Sequence, residues 1–146
     1  THRRDIAYYG GIAKIVPIYA VALMIASLSS VGLPGLNGFI GEFLILLGAF
    51  KSDVLNSWWY VIFASTGVIF AAVYLLWMYQ RVVFGEVTNS NLENELSDMN
   101  TRELIVMIPI FVLIVWIGIY PSTFLTLTES SVKSILENVI SFTLKY

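Results

Sequence analysis

The amino-acid sequence predicts an all-α protein, a polytopic bundle of transmembrane helices whose first helix is discontinuous. Hydrophobic residues make up 58% of the chain and charged residues only 12%, whereas soluble domains carry about 25% charged residues. The mean hydropathy is +0.80, and the apolar residues fall in three long stretches, at about 15–50, 57–84 and 101–120. Stretches of this length are typical of membrane spans. A segment rich in glycine and proline interrupts the first one.

The first stretch, about residues 15–50, is too long for one simple crossing. As a continuous helix it would measure about 54 Å, whereas the hydrocarbon core is about 30 Å thick. Proline removes a backbone donor and glycine favours irregular backbone, so we expect the break at Leu33, Pro34, Gly35 and Gly38. A hairpin of two spans is the alternative, but each arm would reach only about 22 Å. One discontinuous helix is favoured, and such helices mark ion and substrate sites in transporters.

Local signals define the rest of this single membrane domain. Aromatic residues at 58–60 are typical of the membrane interface, here at the start of the second span. The segment 85–100 carries four acids and is interpreted as a solvated cytoplasmic linker, or alternatively as a docking loop for a peripheral arm. Asn100 and Glu103 have the spacing of a capping box that starts the third span. Apolar residues at helical spacing in the tail, 122–146, indicate an amphipathic helix on the membrane or on a neighbour.

Basic residues set the expected orientation, because cytoplasmic loops of membrane proteins carry an excess of them. One side of the expected bundle carries more of them than the other. The side with more basic residues carries Arg3, Arg4, Lys14, Arg81 and Arg102, and the opposite side carries Lys51, Lys133 and Lys145. We therefore expect an integral protein of the cell (inner) membrane, with the N-terminal end of this chain in the cytoplasm and its C-terminus outside.

Cysteine is absent and His2 is the only histidine. Disulfides, cysteine-ligated iron–sulfur clusters and cysteine-bound zinc are therefore excluded within this chain, and no cofactor or metal site is expected in it. The net charge is −2 and no basic tract occurs, so a nucleic-acid partner is not expected. The chain begins at Thr1 without a signal-peptide pattern, and we interpret it as a piece of a longer protein.

Glu42 is the residue expected to carry chemistry, because it is the only charged residue between Lys14 and Lys51. A charge at the bilayer centre costs about 2.5–3.5 kcal/mol on insertion scales. Desolvation makes a buried carboxyl resist ionisation, and a neighbouring cation counteracts that effect. A charge that moves nearby can therefore load such a group with a proton or unload it. The alternative is a protonated Glu42 that hydrogen-bonds another helix and only holds the bundle together.

Further candidate relay groups are Ser65, Thr66, Tyr74, Lys14 and His2. The first three lie in the second span and could hydrogen-bond a chain of water. Hydroxyl groups in such helices more often bond their own backbone or a neighbouring helix. Lys14 could line a cytoplasmic mouth, with His2 as a proton donor there, but a lysine that snorkels to the interface is the simpler interpretation of Lys14.

The segment Ser27–Phe43, SLSSVGLPGLNGFIGEF, resembles the broken-helix motif of the antiporter-like membrane subunits of proton-translocating NADH:quinone oxidoreductase, respiratory complex I. Within that group the chain is most similar to the M type, called chain 4 in mitochondria. Residues His2–Asp5 resemble the family's short basic loop, with a small departure in the order of residues. Thr101–Leu104 and Gly118–Pro121 resemble the start and end of its final span. The resemblance therefore covers the whole chain.

The resemblance implies more than the residues alone indicate. These would be the last three of fourteen spans, and the acid at the Glu42 position would be the terminal proton site of the half-channel that opens to the outside. The related L and N types and the cation–proton antiporters generally carry lysine there, so glutamate favours the M type. A Glu–Lys pair and a central lysine lie in earlier helices of the family, so this chain alone would not pump protons.

The resemblance also implies the partners and the division of labour. The chain would belong to an enzyme of the respiratory chain, a translocase, while NADH, flavin, iron–sulfur clusters and quinone would bind to other subunits. Its partners would be the other membrane subunits and the lipid bilayer. Three alternatives remain at this point: a membrane subunit of a multi-subunit sodium–proton antiporter, a membrane subunit of a hydrogenase or formate-linked complex, and a purely structural helix bundle.

Overall fold

The computed structural model describes residues 5–52 and 58–143, with side chains through residue 141. In these ranges every regular element is helical, which confirms the all-α class. After two short 3-10 helices, Ile6–Tyr8 and Ile12–Lys14, the α-helices are α1 (Pro17–Ser30), α2 (Asn37–Phe50), α3 (Trp58–Val83), α4 (Leu92–Glu95), α5 (Thr101–Ile119) and α6 (Ser122–Thr143). The basic loop Thr1–Arg4, and with it His2, lies outside the described residues.

Two of these helices, α3 and α5, are long and apolar enough to cross a membrane. Each of α1 and α2 has 14 residues, or about 21 Å of helix, which is too short to cross alone. Large apolar side chains point outward along α3, with Phe63 70% exposed and Phe70 68% exposed. Such a surface is what lipid or neighbouring membrane helices cover.

Helices α1 and α2 form one discontinuous span that runs antiparallel to α3. Near the end of α3, the Tyr79 hydroxyl donates a hydrogen bond of 2.9 Å to the carbonyl of Ala20 in α1. At the start of α3, Trp58 and Ile62 line a groove together with Phe50, the last residue of α2. The beginning of α1 and the end of α2 therefore lie at opposite ends of α3. A hairpin would bring them to the same end, so the broken helix is confirmed.

The break itself spans residues 31–36, two residues earlier than the sequence analysis places it. Gly32 adopts a left-handed conformation, with φ of 79°. Its N–H donates to the carbonyl of Ser29 (3.2 Å), and the N–H of Leu33 donates to that of Leu28 (3.1 Å). This pair of bonds is a Schellman motif, which ends helices at glycine, and Pro34, two residues after Gly32, prevents continuation of the helix. Gly38 is not part of the break, because it lies in the first turn of α2.

The segment 84–100 folds onto the residues that precede and begin α1. The N–H of Gly11 donates to the carbonyl of Phe84 at 3.2 Å, and Leu92 is fully buried. Lys14 forms an ion pair of 3.1 Å with Glu86. The interpretation of this segment as a solvated linker is therefore wrong for Leu92 and Asp98, whereas the side chain of Glu86 stays 94% exposed in its ion pair with Lys14.

Asp98 caps the start of α1 from a distant part of the chain. Its carboxylate accepts hydrogen bonds from the backbone N–H groups of Ile18 (2.9 Å) and Tyr19 (3.0 Å). The first N–H groups of a helix have no partner within it, and Pro17, at the first position, has no backbone N–H group. Asp98 thus satisfies the next two donors, and its negative charge suits the helix N-terminus.

Local capping also explains the third span. The side chain of Asn100 accepts from the N–H of Glu103, and the Glu103 carboxylate accepts from the N–H of Asn100, each at 3.0 Å. The predicted capping box is therefore confirmed. Beyond Pro121, α6 exposes its apolar residues, which recur at helical spacing: Val132, Ile135, Leu136, Val139 and Ile140.

Candidate functional site

The break in the first span lies against α5, and a glycine makes that contact. A Cβ atom added at Gly118 would lie 2.5 Å from the Cα of Leu36 and would also meet the carbonyl group of Gly35. Any side chain larger than hydrogen would therefore displace one of the two backbones. Gly118 allows the end of α5 to touch the irregular backbone between α1 and α2.

Glu42 lies in the second turn of α2, and its side chain reaches back to the break. A Cβ atom added at Gly32 would lie 2.9 Å from the carboxyl carbon of Glu42 and would meet one carboxyl oxygen. Helical side chains lean toward the N-terminus of their helix, which brings this carboxyl from its own turn to Gly32. The half-buried acid of α2 thus packs directly on the residue that terminates α1.

No cation pairs with Glu42 among the residues that the structure describes. The two ion pairs there join Lys14 to Glu86 and Lys133 to Glu129. No side chain caps the start of α2, where Leu36 is the N-cap residue. Glu42 is therefore half-buried without a fixed counter-charge in the described part of the chain.

A hydrogen bond between two small polar side chains crosses the break. The hydroxyl of Ser29, which is buried in the last turn of α1, donates to the side-chain oxygen of Asn37, the first residue of α2. Beside it, a Cβ atom added at Gly38 would meet the carbonyl of Ser29. No local sequence pattern predicts this pair. Its only signal was the presence of small polar residues on both sides of the break.

Two other candidate residues, Ser65 and Thr66, lie in α3. In α3 the hydroxyl of Ser65 donates to the carbonyl of Val61 at 2.7 Å, and that of Thr66 donates to the carbonyl of Phe63 at 2.6 Å. Both are thus engaged with the backbone of their own helix, which is the simpler of their two interpretations. Their relay role stays a prediction.

Tyr74 and Lys14 lie on other elements than Glu42. The side chain of Tyr74 is 59% exposed on α3. Lys14 lies before the start of α1 and pairs with Glu86, so it is separated from Glu42 by the whole length of α1. A lining role for Lys14 at a cytoplasmic mouth stays a prediction, and His2 lies outside the described residues.

The comparisons with known proteins agree with the motif around Glu42. Residues 1–71 match the family described as NADH:quinone oxidoreductase/Mrp antiporter, transmembrane. The chain is 43% identical over 137 residues to the NADH-quinone oxidoreductase subunit M of Rhodobacter capsulatus, covering 94% of this chain and 26% of that protein.

Further relatives give the same result. The chain is 43% identical over 135 residues to subunit M of Rickettsia conorii. It is 38% identical over 135 residues to the NADH-ubiquinone oxidoreductase chain 4 of Marchantia polymorpha. In both cases the match covers 92% of this chain and 26% of the relative, so the chain spans about a quarter of the length of these curated relatives. Residues 1–71 therefore resemble this family of transmembrane proteins, as the broken-helix motif indicates, and the relatives extend the similarity over 92–94% of the chain.

Proposed function

We propose that the chain is part of an M-type membrane subunit of a proton-translocating NADH:quinone oxidoreductase, and that Glu42 is a mid-membrane proton-relay site in it. The contact between the Glu42 carboxyl and Gly32 in the break carries this proposal. It holds the only charged residue between Lys14 and Lys51 against the irregular backbone, in the middle of a span with 14 helical residues on each side.

The proposed relay follows from the properties of a carboxyl at a helix break. Irregular backbone at membrane depth persists only where protein or water satisfies its polar groups, so the break offers a place for water next to Glu42. The carboxylate takes up a proton from water on one side. When a cation approaches, the ionised form is favoured, and the carboxyl releases its proton to water on the other side.

The driving reaction takes place elsewhere in this proposal. NADH, flavin, iron–sulfur clusters and quinone bind to other subunits, and this chain contributes no cofactor and no redox step. Its partners are the other membrane subunits and the lipid bilayer. The N-terminal end of the chain faces the cytoplasm, because the excess of basic residues lies at that end of the bundle.

A sodium–proton antiporter subunit is the second candidate, because the matching family also includes Mrp antiporter subunits. In such a complex the same carboxyl would exchange protons without a redox reaction. The three relatives named above are subunits of NADH-quinone and NADH-ubiquinone oxidoreductases, which favours the first candidate.

Substitution of Glu42 in the intact complex tests the proposal. Glu42→Gln keeps the size of the side chain and removes its titration, and a neutral amide is easier to bury than a carboxylate. We expect normal assembly, with a loss of proton translocation and of the quinone reduction coupled to it. Glu42→Asp should retain part of the activity, because it still titrates but is one methylene shorter.

A matched substitution at the surface controls for the change from carboxylate to amide. Glu93 lies exposed in α4, and Glu93→Gln should leave translocation unchanged. Proton uptake is measured per electron in sealed vesicles that contain the assembled complex. If assembled Glu42→Gln complex translocates protons as the wild type does, Glu42 has no part in the relay.

A further inference from the structure

We propose that Asn37 is a positioning residue for the proton site, and that its hydrogen bond with Ser29 fixes the start of α2 against the end of α1. The inference rests on the proposed role of Glu42 and deepens it. The bond joins the last turn of one half-helix to the first residue of the other. Through it, the position of the Glu42 carboxyl beside Gly32 depends on a pair of uncharged side chains.

The backbone of the break does not fix this arrangement by itself. Residues 31–36 form an irregular segment in which both Gly32 and Gly35 adopt positive φ angles, 79° and 94°. Glycine has the widest conformational freedom of all residues, so this connection permits several relative positions of α1 and α2. A side-chain bond across the break selects one of them.

A second contact acts at the same place. Gly38, next to Asn37, lies so close to Ser29 that a Cβ atom on Gly38 would meet the Ser29 carbonyl and would lie 3.5 Å from the Cα of Gly32. The backbone approach and the Asn37 bond together set both the rotation and the height of α2. Because Ser29 is buried, its hydroxyl needs a partner, and loss of that partner carries a desolvation penalty.

Helix α2 transmits the effect of the Ser29–Asn37 bond to Glu42, because it moves as a rigid element. Asn37 and Glu42 belong to the same helix, about 7.5 Å apart along its axis. A rotation of α2 that breaks the Ser29 bond therefore moves the carboxyl relative to Gly32. An ordinary capping role does not explain the bond, because Leu36 is the N-cap of α2 and the Asn37 oxygen accepts from the other half-helix.

Reactivity of the Glu42 carboxyl toward a hydrophobic carbodiimide tests this proposal in the intact complex. The variants are Ser29→Ala, Asn37→Ala and their combination, and labelling of the peptide that contains Glu42 is followed by mass spectrometry. We expect each single variant to change the labelling rate by about fivefold, the factor that corresponds to the usual net free energy of one hydrogen bond. The pH profile of proton translocation should shift with it.

Two controls separate positioning from general damage. Ser30→Ala makes the same chemical change at the exposed neighbouring residue at the end of α1, and it should leave labelling unchanged. Ser29→Thr keeps the hydroxyl and should restore the wild-type labelling rate and pH profile. The double variant should differ from wild type no more than either single variant, because both remove the same bond.

Unchanged labelling in assembled Asn37→Ala and Ser29→Ala complexes overturns the proposal. It is also overturned if the changes in labelling rate of the two single variants multiply in the double variant, because the two residues then act independently. Labelling reports where the carboxyl lies, whether or not it carries protons. Normal translocation by Glu42→Gln would therefore refute the relay alone, whereas unchanged labelling in the other variants would refute the positioning alone.

Discussion

Gly118 of α5 lies in direct contact with the backbone of Leu36, in the break of the first span. The contact joins the third membrane helix to the one place where the first is irregular. It also explains why a glycine occupies the last turn of α5, because a larger side chain there would displace one of the two backbones.

Gly118→Ala should therefore destabilise the protein, although glycine-to-alanine changes in helices usually have the opposite effect. The new methyl group would lie 2.5 Å from the Cα of Leu36, and overpacking of this kind costs about 1–3 kcal/mol. The measurement is the thermal stability of the purified complex. Gly67→Ala in α3 is the control, because its added Cβ would meet no described atom within 4 Å beyond its chain neighbours and the backbone of its own helix. Equal stability of the two variants would refute the contact.

Removal of the Asp98 carboxylate should loosen the start of α1, and the effect should depend on pH. Partial burial raises the pKa of Asp98, but hydrogen bonds from the backbone N–H groups of Ile18, Tyr19 and Met99 outweigh it, so the pKa lies below its ordinary value of 3.8. A carboxyl with a lowered pKa stabilises the fold fully above its ordinary pKa, and this contribution is lost as the pH falls through the lowered value.

The stability difference between wild type and Asp98→Asn should accordingly be constant near neutral pH and shrink only below about pH 3.8. Limited proteolysis of the segment 85–100 measures the loosening at neutral pH, where the variant should be cut faster. Glu93→Gln removes an exposed acid of the same segment and should be cut at the wild-type rate. A difference between wild type and Asp98→Asn that grew on acidification would contradict the assignment.

Cysteines introduced at Asn91 and Ser130 should react with membrane-impermeant reagents from opposite sides of the membrane. The segment that contains Asn91 is fastened to the residues before α1, as the Lys14–Glu86 pair shows. Helix α5 then crosses before α6 begins at Ser122. Residue 91 should react from the cytoplasm and residue 130 from outside. Labelling of both from one side would rule out a crossing by α5.

The helical elements were predictable because their signals are local. The length of the apolar stretches predicted the spans, and Pro34 with its neighbouring glycines predicted the interruption. The spacing of Asn100 and Glu103 predicted the start of α5. The expected position of the break was two residues too late, because Pro34 is the strongest helix breaker in the segment and drew the expected position toward itself. The helix had already ended at Gly32, whose left-handed conformation closes the Schellman motif.

The contacts that hold the site together were not predictable in this way. Asp98 meets Ile18 across most of the length of the chain, and an acid in a polar loop has the same local pattern whether it caps a helix or faces water. Ser29 and Asn37 are common residues near a break, and only the fold brings them together. Glu42 could be singled out because a lone acid in an apolar stretch is conspicuous by itself.

The close approach of Gly118 to Leu36 has a consequence for the tail. Ser122, where α6 begins, follows Gly118 within about one helical turn of chain. The anchoring of the tail and the shape of the break are therefore mechanically linked, even though α6 is exposed from Leu125 to Ser141. A truncation that removes α6 frees the end of α5. Its effect on proton translocation therefore includes a change at the contact between Gly118 and the break, in addition to the loss of the tail.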